Sequence, residues 1–503
     1  MEKFFAFNPK LFKATLLAVI FIEFFSLYGF AYSFLNKAFF ILIIFATLYL
    51  AWKKLIYGVY IVLVELIIAS KGYLFYLEFG EKSISIRIGI FIAIMAVWGF
   101  KFLIDSVKDK KIKREFLKSK LLPYYLSLFV FIVWGIIGGV ARNNLSNVFF
   151  DFNGWLYFLL IFPFYSAINK ENLNDLLNVL LAGIIGLIIK TFLLLVIFSH
   201  NFESTMLGLY RWIRVTGVGE IADVGGGFYR IFFQSHIYGV IGFFIFLPLL
   251  YKKFVQQKKP INNNYKFLFL VVSIFSLIII SFSRSFWIGS LAAFFVFFTV
   301  ALFVFKEKFN KILIGGITVG AVFLMSIILI VFLIKIPLPF GQGDVSFADA
   351  LKNRISDSSQ GAAVSSRWNL IGPLWEEVKN KPFLGSGFGS TVSYKTLDPR
   401  ALQNNPDGVY TTYAFEWGYL DIWLKIGFFG LIAYLLLIWK IFSMGWSFRR
   451  KELFFGSLLG LVALITINFF TPYLNHPLGI GYLLVLSVVY EKLSSQKSKI
   501  VVN

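Results

Sequence analysis

The residues of this chain whose types and spacing best suit a chemical role are arginines and one glutamate. Arg211, Arg214 and Arg230 share one polar interruption of an apolar sequence. Arg284 stands in the short turn Ser281-Phe282-Ser283-Arg284-Ser285 between two apolar runs, and Arg367 lies in a second, longer polar stretch. A guanidinium is a planar fork of N–H donors that matches phosphate or carboxylate oxygens in pairs. Pinned between membrane helices, it is expensive without an anionic partner. These arginines therefore either clamp a phosphate-bearing substrate or pair with a local carboxylate or lipid headgroup. The Arg284 turn contains no acid, which favours the clamp. Glu416 sits among aromatics where the second polar stretch meets an apolar run. Partial burial there would raise its pKa and suit a general base; an interfacial ion pair is the alternative, and Asp421 is the next acid along. His236 either contacts a sugar or diphosphate or is a plain interfacial histidine, and His476 is open in the same way. Glu23, Glu65, Arg87 and Lys190 lie inside apolar runs and either pair or line a polar cavity. Three histidines, scattered along the chain, make no convincing metal site, and the absence of cysteine removes thiol and iron–sulfur chemistry.

The elements that must position these residues are membrane helices. The chain has 503 residues, 58% hydrophobic and 20% aromatic with 63 phenylalanines, and only 15% charged. Its mean hydropathy is +0.78. Such a composition excludes a soluble globular protein. Apolar runs predict helices at 14–33, 38–52, 55–70, 84–105, 121–140, 152–168, 176–199, 236–251, 267–282, 286–305, 312–334, 419–439, 453–472 and 477–490. The expected fold is an all-α polytopic bundle of about fourteen spans. The first run follows Lys10 and Lys13, lacks a small-residue cleavage site and reads as a retained helix. The net charge of +22 would suggest nucleic acid in a soluble chain. Here basic residues recur after every second span, at Lys53-Lys54, Lys108 to Lys120, Lys170, Lys252 to Lys259, Lys306 to Lys311, Arg449 to Lys451 and Lys492 to Lys499. By the positive-inside rule those loops and both termini are cytoplasmic, with no nucleic-acid partner. Two long gaps then face outward, 200–235 and 335–418. The chain divides into a bundle over 1–334, a large outer loop over 335–418 and closing spans with a basic tail over 419–503. In the large loop Trp368, Ile371, Trp375 and Val378, with Leu374 beside them, predict an amphipathic helix capped by Ser365 or Ser366. It would lie on the membrane interface or over a cavity as a lid.

Three segments together resemble the O-antigen ligase and O-antigen polymerase family. Ser281-Phe282-Ser283-Arg284-Ser285 is similar to its Ser-Arg turn between two helices. Arg367-Trp368 followed by Asn380-Lys381-Pro382-Phe383-Leu384-Gly385-Ser386-Gly387-Phe388-Gly389 resembles its Arg…Trp…His/Asn-Pro-Leu-Gly-x-Gly-x-Gly signature. Tyr419-Leu420 with Gly427-Phe428-Phe429-Gly430 resembles its loop-to-helix segment. The resemblance implies a glycosyltransferase that takes a glycan from a polyprenyl diphosphate at the outer face of a bacterial inner membrane and needs no metal or other cofactor. Arg284 and Arg367 would be catalytic, with Arg211, Arg214, Arg230 and His236 binding the diphosphate or substrate. Where ligases carry a His-Asn pair, this chain has Glu416-Trp417, so Glu416 becomes the expected base. The expected function is polymerase of lipid-linked repeat units in O-antigen or exopolysaccharide assembly. A ligase to lipid A or protein, and a polysaccharide flippase, are the alternatives. Expected partners are the lipid-linked oligosaccharide, membrane lipids, and other assembly proteins such as a flippase or chain-length regulator.

Overall fold

A computed structural model describes residues 7–80, 82–109, 116–225, 228–337, 362–396, 402–403 and 405–500. The structure is mostly helical, 77%. Helices α1 (Pro9–Ala31), α2 (Ser33–Lys53), α3 (Leu55–Ala69) and α4 (Ile86–Asp109) open the chain. The helix α5 (Leu122–Arg142) is followed by a broken span: α6 (Leu145–Phe152), a 3-10 stretch, then α7 (Ile161–Ala167). Next come α8 (Leu173–Ser199), the short amphipathic α9 (Glu203–Val215), α10 (Ile237–Tyr251), α11 (Tyr265–Ile280), α12 (Arg284–Thr299) and α13 (Phe309–Lys335). The chain closes with α14 (Ala362–Asn380), α15 (Gly418–Trp446), α16 (Glu452–Ile467) and α17 (Pro477–Ile500).

Among the described residues, eleven helices are long and apolar enough to cross a membrane. The expected count of fourteen is not reached by length. Three apolar helices, α3, α11 and α16, are shorter. At about 1.5 Å per residue they fall short of a hydrocarbon core of roughly 30 Å. Three antiparallel hairpins also depart from a purely helical fold: β1–β2 (Tyr76–Phe79, Lys82–Ser85), β3–β4 (Gly219–Asp223, Tyr229–Phe233) and β5–β6 (Val392–Lys395, Val409–Thr412). The last two lie within the two long gaps. The middle of the large gap, 338–361, lies outside the described residues, as does the side chain of Ser365.

At the centre is α10, buried along nearly its whole length. Gly456 lets α16 approach so closely that a Cβ there would lie 2.3 Å from the Ile245 carbonyl oxygen. Helices α1, α2, α4 and α13 ring the bundle, with most of their apolar surface facing outward, as lipid-facing helices do. Glu23, Glu65, Arg87 and Lys190, read as lying inside apolar runs, form two pairs. Glu65 accepts from Arg87 Nε at 2.9 and 3.0 Å, and Glu23 pairs with Lys190. Removing one member of such a pair costs about 3–5 kcal/mol, because it strands the other.

Candidate active site

One end of the bundle, the loop end, gathers the segments 200–235 and 362–417. His200 joins them, with Nε2 2.8 Å from the Ile336 carbonyl oxygen at the foot of α13. Arg211 and Arg214 ride on α9, whose Trp212 and Ile213 are buried. That leaves Arg211 on the exposed face and turns Arg214 toward the hairpin beside it. In the register of β3–β4, Ala222 faces Arg230, and Glu220 lies two residues back on the same strand. Glu220 stands 3.3 Å from Arg214 and 3.9 Å from Arg230. Arg230 lies over the Phe232 ring and its Nε donates to the Ser281 carbonyl at 2.8 Å.

That carbonyl belongs to the turn carrying Arg284. Phe282 adopts φ 46 there, in the left-handed region that bulky side chains avoid. Packing over-determines it: Phe282 is fully buried against Phe228 and Trp287. Ser281 Oγ accepts the Ser283 amide, and Ser283 and Ser285 hydroxyls lie 3.1 Å apart. The turn thus holds Arg284 at the start of α12, three residues from the group that Arg230 grips. Lys71, in the turn after α3, completes this basic set. It is solvent-accessible, and desolvation, then the charge of Arg214, lowers its pKa. Like charges held this close favour an anion between them.

Arg367 and Glu416 form a second group, linked to the first. They are ion-paired to each other, with a further contact of 3.3 Å from Arg367 Nη2. Trp417 donates to the Arg367 carbonyl at 2.9 Å and packs on Phe470. The next residue, Thr471, donates to Ser285, beside Arg284, at 3.2 Å. Glu416 is 49% exposed, more open than the sequence suggests, because α14 packs by a different stripe. Its buried residues are Ser366, Leu370, Leu374 and Val378, against Val392, Phe415 and Leu424. Trp368 is 60% exposed and flanks Trp417; Trp375 flanks Trp423.

His236 does not join the cluster. It is fully buried, accepting the Phe233 amide on Nδ1 while Nε2 lies 2.9 Å from Thr191 Oγ1. Asp421 is 3% exposed and held by Lys425 and Asn475. His476, next to Asn475, is driven to a pKa of about 3 by burial and then by Arg87 and Lys71. It is neutral at ordinary pH. Sequence reading missed Lys71 and also Tyr413. Burial and then Asp151 raise the Tyr413 pKa, leaving it a phenolic donor near the same mouth. A lysine at the non-basic end of a span was the available signal for Lys71.

The glycine signature is a clasp. Gly385, Gly387 and Gly389 have φ of 75, 90 and 77. The Ser386 amide donates to the Leu424 carbonyl at 2.6 Å, that of Phe388 to the Gly135 carbonyl at 3.0 Å, and that of Gly389 to Asp151 Oδ2 at 2.7 Å. Lys425 Nζ lies 2.5 Å from both Asp151 and Asp421. The loop therefore fastens α5, α6 and the kink of α15 at Gly427, and with them the platform under Arg367 and Glu416.

Residues 268–435, a segment holding the Arg284 turn, Arg367, the clasp and Glu416, match the family model described as O-antigen ligase. Over that segment the chain is similar to the O-antigen ligase family. The match covers about a third of the chain and leaves Arg211, Arg214, Arg230 and His236 outside it. No curated protein matches the chain. Proteins of that family are glycosyltransferase-like membrane enzymes of the ligase and polymerase type, and the match suggests a lipid-linked polysaccharide as substrate class.

Proposed function

We propose that the chain polymerises polyprenyl-diphosphate-linked oligosaccharide repeats at the outer face of a bacterial inner membrane. The observation carrying this is the convergence of Lys71, Arg214 and Arg230 on the Arg284 turn at the loop end, against the family segment. The acceptor hydroxyl oxygen attacks the anomeric carbon of the donor glycan, and the bond from that carbon to the phosphate oxygen breaks. The polyprenyl diphosphate leaves with its negative charge. Arg230 and Arg284 receive that charge, with Arg214 and Lys71 behind them, supplying by fixed cationic groups what a metal ion supplies in other phosphate-leaving reactions. Glu416 takes the acceptor proton. Arg367 orients that carboxylate through their ion pair. The exposure of Glu416 leaves room for a bulky sugar acceptor beside it.

A second reading, a ligase that hands the glycan to lipid A or to protein, is favoured by the description of the matched family. Reconstitution of the protein in liposomes with a lipid-linked oligosaccharide separates the readings. Longer lipid-linked glycans are expected. Transfer only to another acceptor makes the protein a ligase, and translocation without bond formation overturns glycosyl transfer altogether.

A further inference from the structure

A large cavity opens at the opposite, basic end of the bundle. Its volume is about 1040 Å³, and it is walled by α8, α10, α16 and α17. This is at the top of the range of small-molecule sites, about 300–1,000 Å³. The bundle's helices carry the two sites at opposite ends. Helix α10 begins beside the Arg230 hairpin, lines the cavity's inner part with Tyr238 and Ile245, and ends one residue before Lys252 at the basic rim.

The walls and the rim differ in chemistry. Leu63, Leu177, Ile245, Leu486 and Val489 represent the apolar lining. The two tyrosine hydroxyls of the lining are already engaged. The Tyr238 hydroxyl donates to the Leu478 carbonyl at 2.9 Å and that of Tyr482 to the Ser457 carbonyl at 2.7 Å. An occupant of the interior needs to offer no hydrogen bond. The rim carries Lys170, Lys252, Arg449, Arg450 and Lys451 against one lining carboxylate, Glu452. That carboxylate is matched to Lys252 at 2.6 Å. Arg449 Nη1 is engaged by the Trp446 carbonyl, but its buried Nε has no partner among the described residues.

We propose that this cavity binds an anionic glycerophospholipid of the adjoining leaflet, its acyl chain between α8 and α17 and its phosphate among the rim cations. Charge complementarity selects the headgroup and the satisfied apolar wall selects the chain. Neither a free phosphate nor a zwitterionic lipid meets both conditions equally well. The site is separate from the transfer site and stands whether or not transfer is polymerisation.

The full chain, purified in neutral detergent, can be tested by native mass spectrometry with phosphatidylglycerol, phosphatidylcholine, glycerol phosphate and polyprenyl phosphate. Phosphatidylglycerol is expected to be retained at least about tenfold better than phosphatidylcholine. The rim reversal R449E/R450E should abolish that preference. The filling variant Leu177→Trp should lower retention of both lipids, with each variant checked as monodisperse by size exclusion. Equal retention of the two phospholipids, undiminished retention in L177W, glycerol phosphate binding as well as the lipid, or polyprenyl phosphate displacing phosphatidylglycerol would each overturn the proposal.

Discussion

Glu220 is a loose partner for its arginines. Its distances to Arg214 and Arg230, 3.3 and 3.9 Å, exceed the roughly 2.7–2.9 Å of a tight charge-assisted hydrogen bond. An arriving diphosphate can take its place without breaking a strong pair. Arg230→Ala and Arg284→Ala are therefore expected to lower turnover by about 10²–10³-fold. Arg284→Lys should recover only part of this, since an ammonium lacks the paired donors of a guanidinium. Glycan-transfer rates in proteoliposomes measure both. Glu416→Gln should lower transfer by about 10²–10⁴-fold with normal membrane insertion; a rate near wild type would remove Glu416 from the base role. Lys71 gives a pH signature. Its pKa is lowered, so it is charged at low pH and loses its charge, as pH rises, earlier than an ordinary lysine. Donor affinity should weaken along that alkaline limb, and Lys71→Arg should move the limb to higher pH. A KM-versus-pH profile that is the same in both would exclude Lys71 from donor binding. The sequence already singled out Arg284, because its turn holds no acid. Lys71 and Glu220 were not, since their roles depend on strands and turns meeting only after folding.

At the scale of elements, the clasp decides whether the site has a floor. A Cβ on Gly387 would lie 2.3 Å from the Gly139 amide nitrogen, a backbone atom that cannot yield. Adding about 1–2 kcal/mol for the left-handed backbone to about 1–3 for overpacking, Gly387→Ala should destabilise the protein by roughly 2–5 kcal/mol. Gly208, on the open face of α9, meets nothing within 4 Å. There alanine should stabilise by about 0.5–1 kcal/mol. Thermal melts in detergent distinguish them, and two similar shifts would show that the clasp carries no stability. The sequence displays this glycine pattern plainly, but only the contacts with Gly135, Gly139 and Leu424 reveal that it grips helices. The tryptophan stripe shows a related limit. Helical spacing placed α14 correctly, but Leu370 and Leu374 are buried, with the tryptophans at the flanks. Both residue types are apolar, and only the facing surface of Phe415 and Leu424 distinguishes them.

For the whole molecule, the open question is parity. Eleven crossings would leave the termini on opposite faces, whereas fourteen would return them to the same face. The three short helices decide it. Helix α3 starts beside Lys54, and just past its other end Ser70 meets Ser235 at the loop end. Helix α11 starts beside Asn264, which accepts from Lys253, and ends at the Ser281 turn gripped by Arg230. Helix α16 starts at Glu452, paired with Lys252, and just beyond its other end Thr471 meets Ser285. Each runs from the basic end to the loop end. A short helix can do so where neighbouring helices, rather than lipid, surround its ends. The expected outcome is even parity, with the basic end in the cytoplasm. Because the chain has no cysteine, single substitutions report this cleanly. In right-side-out vesicles an impermeant maleimide should label Asn201→Cys and Ser393→Cys at once. Phe7→Cys, Asn263→Cys and Ser495→Cys should react only after permeabilisation. Labelling of one terminus but not the other before permeabilisation would mean an odd number of crossings. Labelling of Asn263→Cys in sealed vesicles would place the basic end outside and put the arginine cluster on the face away from the proposed donor.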